Sequence, residues 1–282
     1  MRPRLVTLAS DVGAAYAAQM KAALIRDGVP PSRIVDLAHD LPAHGIREGA
    51  FLLREMARSF PPFCVHVAVV DPGVGGRRRV IVIETRRGPF LVGPDNGVLA
   101  PLADELGARR AFALGAGPRR SVDRVGTTFD GRDLFAPAAA LLARGVRPSA
   151  LGPPVTPTSL ALPRPARTAD GARGEVLHVD RFGNLITNVP SAWVGPGTVS
   201  LGVALGRSRA RRVPWATSYE SLGRGTVGAL GSSFGLVELA VGEGRASDRL
   251  RAGVGARVRL RWRPRRVPRG EKAKSARPRK AG

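Results

Sequence analysis

The sequence predicts an α/β protein, with a mostly parallel sheet and flanking helices in its N-terminal domain and a smaller all-β domain after it. Apolar runs alternate with helical patterns through the first half of the 282-residue chain. Several of these runs are apolar at every position, which is typical of strands in a sheet that is covered on both faces. After a proline-rich stretch the pattern changes to short strands separated by glycines.

Five strands and three helices are predicted in the first half. The strands are Leu5–Ala9, Ile34–Leu37, Cys64–Val70, Val80–Glu84 and Phe90–Val92, and the helices are Ala14–Asp27, Ile46–Phe60 and Asp133–Arg144. In the second helix, apolar residues from Ile46 to Phe60 recur at helical spacing. Pro137 lies near the start of the third helix, where a missing amide costs least. Together these elements predict an N-terminal domain over residues 1–154.

The second half begins with a segment that is rich in proline and has no period. We expect residues 155–173 to be a linker for that reason. An all-β domain is predicted over residues 174–263, with strands Glu175–Asp180, Thr198–Leu205, Thr226–Leu230, Leu236–Val241 and Ala256–Trp262. In the last strand apolar residues alternate with arginines, which indicates a strand buried on one face. Residues 264–282 are predicted to form a basic, disordered tail.

The net charge of +23 favours an acidic partner such as nucleic acid. About half of this excess comes from Arg257 onward, where twelve basic residues stand against one acidic residue. We therefore expect at most weak nucleic-acid contact, through the tail. No apolar run approaches the ~20 residues of a membrane span, no secretion signal is recognised, and the lone cysteine, Cys64, cannot form an internal disulfide. These features predict a cytoplasmic protein with no membrane contact.

Two familiar motifs occur in the wrong context. Gly231–Gly235 fits the G-x-S-x-G elbow of serine hydrolases, but that fold places its histidine after the serine, and the last histidine here is His178. Gly223–Gly228 fits a dinucleotide fingerprint, yet a β-like segment follows it instead of a helix. One cysteine and four histidines cannot supply a closed zinc site. We expect no metal and no cofactor.

Polar residues follow the predicted strands of the first domain. Asp11 comes directly after the first strand, Asp71 after the third and Asn96 soon after the fifth, while Asp130 precedes the third helix. Each position alone fits ordinary turn chemistry. Open α/β sheets bind ligands at the carboxyl ends of their strands, however, so together these residues predict a ligand site at one sheet edge.

From Val6 to about Leu260 the chain resembles the S-adenosylmethionine hydrolase (hydroxide adenosyltransferase) family, which is related to the fluorinases and chlorinases. The resemblance rests on stretches in matching order: TLASDVG at 7–13, IVDLAH at 34–39, VHVAVVDPGVG at 65–75, GPDNGVL at 93–99, TTFDGRDLFAP at 127–137, DRFGNLITN at 180–188 and GSSFGLVE at 231–238. It implies that the second domain is a β-barrel and that the protein is a homotrimer with sites between subunits. The implied reaction is attack of water on the ribose C5′ of S-adenosyl-L-methionine, giving adenosine and L-methionine without a cofactor.

The resemblance also implies roles for individual residues. Asp11 would accept hydrogen bonds from the two ribose hydroxyls, which suits a carboxylate facing a vicinal diol. Asp71 and Arg78 match two members of the family's water-handling set, and Asp130 occupies the position of the third. The remaining substrate contacts would come from Asn96, Asp180, Asn184, Ser233 and Phe234, with Phe234 near the adenine.

The sequence departs from the family at Asp130, where the family has histidine, and in the loop after Gly13, which is about two residues short. Beside Arg78, Asp130 should stay ionised, which makes a weak general base. Three hypotheses remain open: an active hydrolase that uses Asp130, a binding protein with weakened catalysis, and a polyanion-binding protein that acts through its tail. A halogenase is disfavoured because Asp71 places negative charge where a halide would sit.

Overall fold

The computed structural model describes residues 3–115 and 128–262, and the chain forms two compact units that divide between Leu162 and Pro163. In unit 1 the strands are β1 (Leu5–Ser10), β2 (Ile34–Ala38), β3 (Cys64–Val69), β4 (Val80–Thr85), β5 (Phe90–Pro94), β6 (Ala108–Ala113) and β7 (Pro154–Val155). Its helices are α1 (Gly13–Arg26), α2 (Ile46–Ala57), α3 (Ala100–Leu106) and α4 (Ala136–Ala143). A π-helical turn, Gly131–Phe135, leads into α4.

The sheet of unit 1 is mixed, with the strand order β2-β1-β3-β5-β4-β6-β7. The neighbours among β2, β1, β3 and β5 are parallel, whereas β4, β6 and β7 pair antiparallel. The α/β class is confirmed, but the sheet is less parallel than expected. The reason is local: only four residues separate β4 from β5, with Gly88 at φ 107°. So short a connection makes a hairpin, since a parallel pair needs a crossover of a dozen or more residues.

Apolar strands bury both faces of this sheet, as the sequence predicts. Leu8 and Val67 share one core cluster with Leu24 of α1 and Phe135 before α4. Alternate strand residues point to the opposite face. There α2 approaches so closely that a Cβ on Gly49 would lie 2.9 Å from Val70 Cγ2. Burying side chains of this size contributes about 1.5–3 kcal/mol each, so the strands are held from both sides and their ends are fixed.

Helix α3 and strand β6 were not predicted. The helix has seven residues, too few for a helical period to stand out. Its signals are local: Pro101 lies in the first turn, and Gly107, at φ 72°, ends the helix in the left-handed conformation. The chain then enters β6 directly, so no polar loop marks the boundary.

Unit 2 is a nearly closed antiparallel barrel. Its strands are β8 (Ala166–Thr168), β9 (Gly171–Val179), β10 (Leu185–Pro190), β11 (Ser200–Leu205), β12 (Arg211–Pro214), β13 (Val227–Gly231), β14 (Leu236–Val241) and β15 (Arg257–Arg261), with one short helix, α5 (Ala246–Leu250). The order is β12-β11-β15-β9-β10-β14-β13, with β8 paired to β9. The Ala216 amide donates to the Ala229 carbonyl at 2.8 Å, which joins the two ends of the sheet.

The range predicted as a linker, 155–173, contains secondary structure. Strand β8 and the start of β9 form a hairpin there, and Val155 ends β7. This structure was not predicted because β8 has only three residues and follows a proline-rich segment. The predicted tail, 264–282, lies outside the described residues. Over the part of the chain that the structure describes, none of the helices is long and apolar enough to cross a membrane.

Candidate active site

The carboxyl ends of β1, β3 and β5 lie side by side at one edge of the sheet in unit 1. These three strands are parallel neighbours, so their ends meet at the same edge. Asp11 follows β1, Asp71 follows Val70 at the end of β3, and Asn96 lies two residues after β5. The structure therefore brings these residues to one edge, where open α/β sheets bind ligands.

Arg78 joins two carboxylates at this edge. Its Nε donates to Asp71 Oδ1 and Oδ2 at 3.0 and 2.9 Å, and its Nη2 forms ion pairs with both Asp71 and Asp130. The exposed fractions of the three side chains are 13% for Arg78, 4% for Asp71 and 2% for Asp130. Burial alone would lower the pKa of Arg78, but its bonds to Asp71 and Asp130 outweigh burial and raise that pKa above its ordinary value. The Arg78 side chain therefore stays positively charged within the cluster.

Two separate segments build this cluster. After Asp71 the chain turns through glycines, with the Gly76 amide donating to the Gly73 carbonyl at 3.0 Å, and this turn returns Arg78 to Asp71. A Cβ on Gly73 would lie 3.2 Å from Arg78 Cγ, so the close approach favours glycine there. Asp130 lies at the start of the π-helical turn that leads into α4. The Arg78 guanidinium also lies 5.7 Å from the ring centre of Phe135, a buried residue of that turn.

Asn96 supports the strand end that carries Asp71. Its Nδ2 donates to the Val70 carbonyl at 2.8 Å, and its Oδ1 accepts from the Val98 amide at 3.1 Å. Both ends of the side-chain amide thus have partners within unit 1. The peptide just before Asp71 is thereby fixed, and a direct contact of Asn96 with substrate stays a prediction.

Asp11 is partly buried and is held by two neighbouring segments. Its amide donates to the Val69 carbonyl at 3.1 Å, and its Oδ2 accepts from the His44 amide at 3.1 Å. His44 has φ 60°, which is uncommon for any residue other than glycine. One oxygen of the carboxylate is therefore oriented by a backbone donor.

In unit 2 the predicted methionine-contacting residues lie in two hairpin turns. Asp180 Oδ1 accepts from the amides of Phe182 and Asn184, both at 2.9 Å, and Asp180 Oδ2 accepts from Asn184 Nδ2 at 3.0 Å. Asp180 therefore shapes the β9–β10 turn. Ser233 is exposed and Phe234 partly buried in the turn between β13 and β14. Because that turn joins two strands, the G-x-S-x-G pattern is no nucleophile elbow.

A buried acid near the β9–β10 turn was missed by the sequence reasoning. Glu238 is 3% exposed, and the Tyr219 hydroxyl donates to its Oε1 at 2.6 Å. Burial raises the pKa of Glu238; the Tyr219 bond offsets this in part, and the negative charge of Asp180 adds to the rise. A charged residue inside the apolar strand Leu236–Val241 was the available signal.

A second missed feature fixes the segment after β7. Arg79 Nε donates to Asp95 Oδ2 at 2.7 Å, and the Thr158 amide donates to Asp95 Oδ1 at 2.6 Å. Asp95 thus ties the predicted linker to the loop after β5. Across residues 3–115 and 128–262, no group of three His, Cys, Asp or Glu side chains is arranged to hold a metal ion.

Comparison with known proteins shows similarity over both units. Residues 6–152 match the SAM hydroxide adenosyltransferase N-terminal domain, and residues 174–259 match the C-terminal domain of the same family. A Thermus thermophilus protein named (R)-S-adenosyl-L-methionine hydrolase is 42% identical over 92% of this chain and all of its own length. Another of that name, from Salinispora arenicola, is 39% identical over 82% of this chain and 87% of its own.

More distant similarity extends to a halogenating enzyme and to a solved structure. A fluorinase from an Actinoplanes species is 24% identical over 66% of this chain and 71% of its own length. The crystal structure of an uncharacterized conserved protein from Thermotoga maritima covers 91% of this chain and all of its own, with a TM-score of 0.82 and 30% identity. The similarity is therefore one of sequence and of fold.

Proposed function

Because the chain belongs to the SAM hydroxide adenosyltransferase family, we propose that it is a hydrolase of S-adenosyl-L-methionine whose water is handled by Asp71, Arg78 and Asp130. The products are adenosine and L-methionine. The observation that carries the proposal is the buried cluster at the sheet edge, in which Arg78 is paired with both carboxylates.

In this reaction the main task of the protein is to position the water and the substrate. The water oxygen forms a bond to the ribose C5′, the C5′–S bond breaks, and its electron pair neutralises the sulfonium to give the thioether of methionine. The water proton passes to a carboxylate of the cluster and then to solvent. Since a sulfonium is already a good leaving group, aligning the water with C5′ supplies much of the acceleration.

Each residue of the site has a separate role in this proposal. Arg78, held between its partners, fixes Asp71 and Asp130 so that their oxygens can accept hydrogen bonds from the attacking water. Asp11 accepts hydrogen bonds from the two ribose hydroxyls. The two hairpin turns of unit 2 contact the rest of the substrate, with Asp180, Asn184 and Ser233 at the methionine portion and Phe234 at the adenine.

The proposal includes the substrate's stereochemistry and the assembly. The curated relatives are named for the (R) epimer, and the sulfonium is a stereocentre, so the same epimer is the proposed substrate here. The enzyme acts in the cytoplasm as a homotrimer, with active sites shared between subunits as the family resemblance implies.

The direct test is to incubate the purified protein with each epimer of S-adenosyl-L-methionine and identify the products. Equal amounts of adenosine and methionine are expected, and Arg78→Met should be nearly inactive. A matched control is Arg110→Met, since Arg110 pairs with Glu84 at the opposite edge of the same sheet. Failure to consume either epimer would overturn the proposal.

A second function, weak polyanion binding, is favoured by the concentration of positive charge from Arg257 onward. Phosphate contacts release counterions, so such binding should fall steeply with salt. We expect deletion of residues 263–282 to abolish retention on duplex DNA while leaving hydrolysis unchanged. Retention that survives the deletion would assign the binding to the described units.

A further inference from the structure

A chain of hydrogen bonds runs beside Asp11 and plays no part in the reaction described above. Lys21 Nζ donates to Asp36 Oδ2 at 2.8 Å, His39 Nε2 lies 3.0 Å from Asp36 Oδ1, and His39 Nδ1 lies 2.8 Å from Ser10 Oγ. The chain joins α1, β2 and the last residue of β1. Ser10 immediately precedes Asp11.

The donors in this chain can be assigned from its chemistry. Burial alone would raise the pKa of Asp36, but the bonds from His39 and Lys21 outweigh it and leave that pKa below its ordinary value. An ionised carboxylate only accepts, so His39 Nε2 is the donor to Asp36, and in the neutral imidazole Nδ1 accepts from the Ser10 hydroxyl. The two bonds fix the orientation of the imidazole ring.

The order Ser–His–Asp resembles a catalytic triad, but the burial excludes that role. Ser10 has no exposed surface, so its hydroxyl cannot reach a substrate. A nucleophilic serine must contact the atom that it attacks. The chain must therefore act through its neighbours.

Those neighbours are the residues that hold Asp11. The segment 39–44 is bonded to the segment 10–13 through the Gly13 amide to the His39 carbonyl at 2.9 Å and the Leu41 amide to the Ser10 carbonyl at 3.1 Å. It ends at His44, whose amide donates to Asp11 Oδ2. His44 has an unfavourable φ of 60°, and such a conformation persists only when its surroundings hold it. The His39 side chain anchors this segment, to β1 through Ser10 and to β2 through Asp36.

We infer that His39 is a positioning residue: through Ser10 and the segment 39–44 it holds the His44 amide against Asp11, so that the carboxylate faces the ribose diol. The inference rests on the proposed function for the identity of the ligand. It predicts that losing the His39–Ser10 bond weakens recognition of the two hydroxyls and leaves the rest of nucleoside binding intact.

The test compares calorimetric affinities for adenosine and for 2′,3′-dideoxyadenosine, which lacks both hydroxyls. His39→Gln keeps a group near Asp36 but loses the Nδ1 position. It should lower adenosine affinity about tenfold, the worth of about one hydrogen bond, with no change for the dideoxy compound. His39→Asn places its amide near Nδ1 and should restore most of the affinity. Ser10→Ala removes the same bond from the other side, so it should give an equal loss and add nothing to His39→Gln in the double variant.

His66→Gln is the matched control. His66 Nδ1 bonds Thr7 Oγ1 at 2.7 Å, which is also a bond between an imidazole and a hydroxyl of β1, but it lies between β1 and β3 in the sheet interior, so adenosine affinity should not change. The inference is overturned if His39→Gln binds adenosine as the wild type does, or if it loses affinity for both nucleosides equally. Wild-type protein that binds S-adenosylmethionine but does not distinguish the two nucleosides overturns it too. Wild-type protein that binds none of these compounds would instead refute the proposed function on which the inference rests.

Discussion

At the residue scale, Asp130 separates this chain from the family pattern. The family resemblance implies a histidine there, whereas here a buried carboxylate is paired with Arg78. A carboxylate committed to a guanidinium stabilises the cluster but accepts a proton less readily than an imidazole at neutral pH. Asp130 therefore completes the cluster with a carboxylate at the position where the resemblance implies an imidazole.

We predict that Asp130→His raises turnover, because histidine's ordinary pKa of about 6.5 lets it take the water proton near neutrality. A tenfold gain would correspond to about 1.4 kcal/mol of transition-state stabilisation. Steady-state kinetics with Asp130→Asn as the control should show no such gain. Turnover that falls or stays the same in Asp130→His, while the wild type is readily measured, would contradict this prediction and show that the cluster works at least as well with the carboxylate.

For Asp11, we predict that substitution by alanine weakens adenosine binding. Hydrogen bonds to a charged acceptor are worth about 1.5–3 kcal/mol each, so losing the ribose contacts should reduce affinity at least tenfold in calorimetry. Asp40→Ala, which removes an exposed carboxylate from the nearby segment 39–44, is the control. Equal affinity in Asp11→Ala and wild type would remove Asp11 from the site.

At this scale the sequence could predict the positions of the site residues and, through the family resemblance, the proximity of Asp130 to Arg78, but it could not predict the other side-chain bonds. Asp11 and Asp71 follow apolar strands, so their place at the sheet edge was accessible from pattern alone. The internal bonds of Asn96 and Asp180 were not, because an amide or a carboxylate in a turn can face a ligand or its own backbone equally well. The Ser10–His39 bond could not be predicted for a different reason, because it joins residues that are far apart in the sequence.

At the element scale, the strands that lie in the centre of the sheet were the most predictable. β1, β3 and β4 are buried nearly throughout, so their composition marked them. α3 and β8 are short, β6 follows α3 with only Gly107 between them, and β4 took its direction from the four-residue connection to β5. The lengths of these elements and of the connections between them, more than their composition, explain why α3, β6 and β8 and the direction of β4 were not predicted.

Strand β3 also carries a pH-dependent contribution to stability. His66 is 1% exposed, and burial lowers its pKa to about 4. Its folded-state pKa lies below the unfolded value of about 6.5, so the folded state binds fewer protons between these values. The contribution is therefore complete at pH 7 and is lost as the pH falls below 6.5.

We predict that wild-type protein loses about 2 kcal/mol more unfolding free energy than His66→Gln between pH 7 and pH 5, at about 1.4 kcal/mol for each pH unit below 6.5. Urea denaturation of both proteins at the two pH values measures the difference, since the other titrating groups contribute to both. Identical pH dependence in the two proteins would show that His66 does not stay neutral on folding.

At the scale of the whole molecule, the change in composition near residue 155 was enough to predict two domains. It could not locate the division at Leu162 and Pro163. The residues after β7 are tied to unit 1 by Asp95 and Thr158, a contact between segments about sixty positions apart in sequence. Proline content marks a segment without regular period, and it says nothing about what that segment packs against.

We predict a homotrimer in solution. Light scattering should give about three times the chain mass of 29.7 kDa. If subunits share active sites, mixing and reassembling two inactive variants, Asp71→Asn and Asn184→Ala, should restore part of the activity, because some sites would combine two intact halves. A monomer that turns over substrate would contradict this arrangement.

In the proposed reaction, water attacks the ribose C5′ of S-adenosyl-L-methionine at the Asp71–Arg78–Asp130 cluster. The most direct measurement is turnover in water labelled with oxygen-18, followed by mass spectrometry of both products. The heavy oxygen should appear in adenosine and not in methionine, and its incorporation should disappear in Arg78→Met while persisting in Arg110→Met. Label in methionine, unlabelled adenosine, or undiminished labelling in Arg78→Met would contradict the claim.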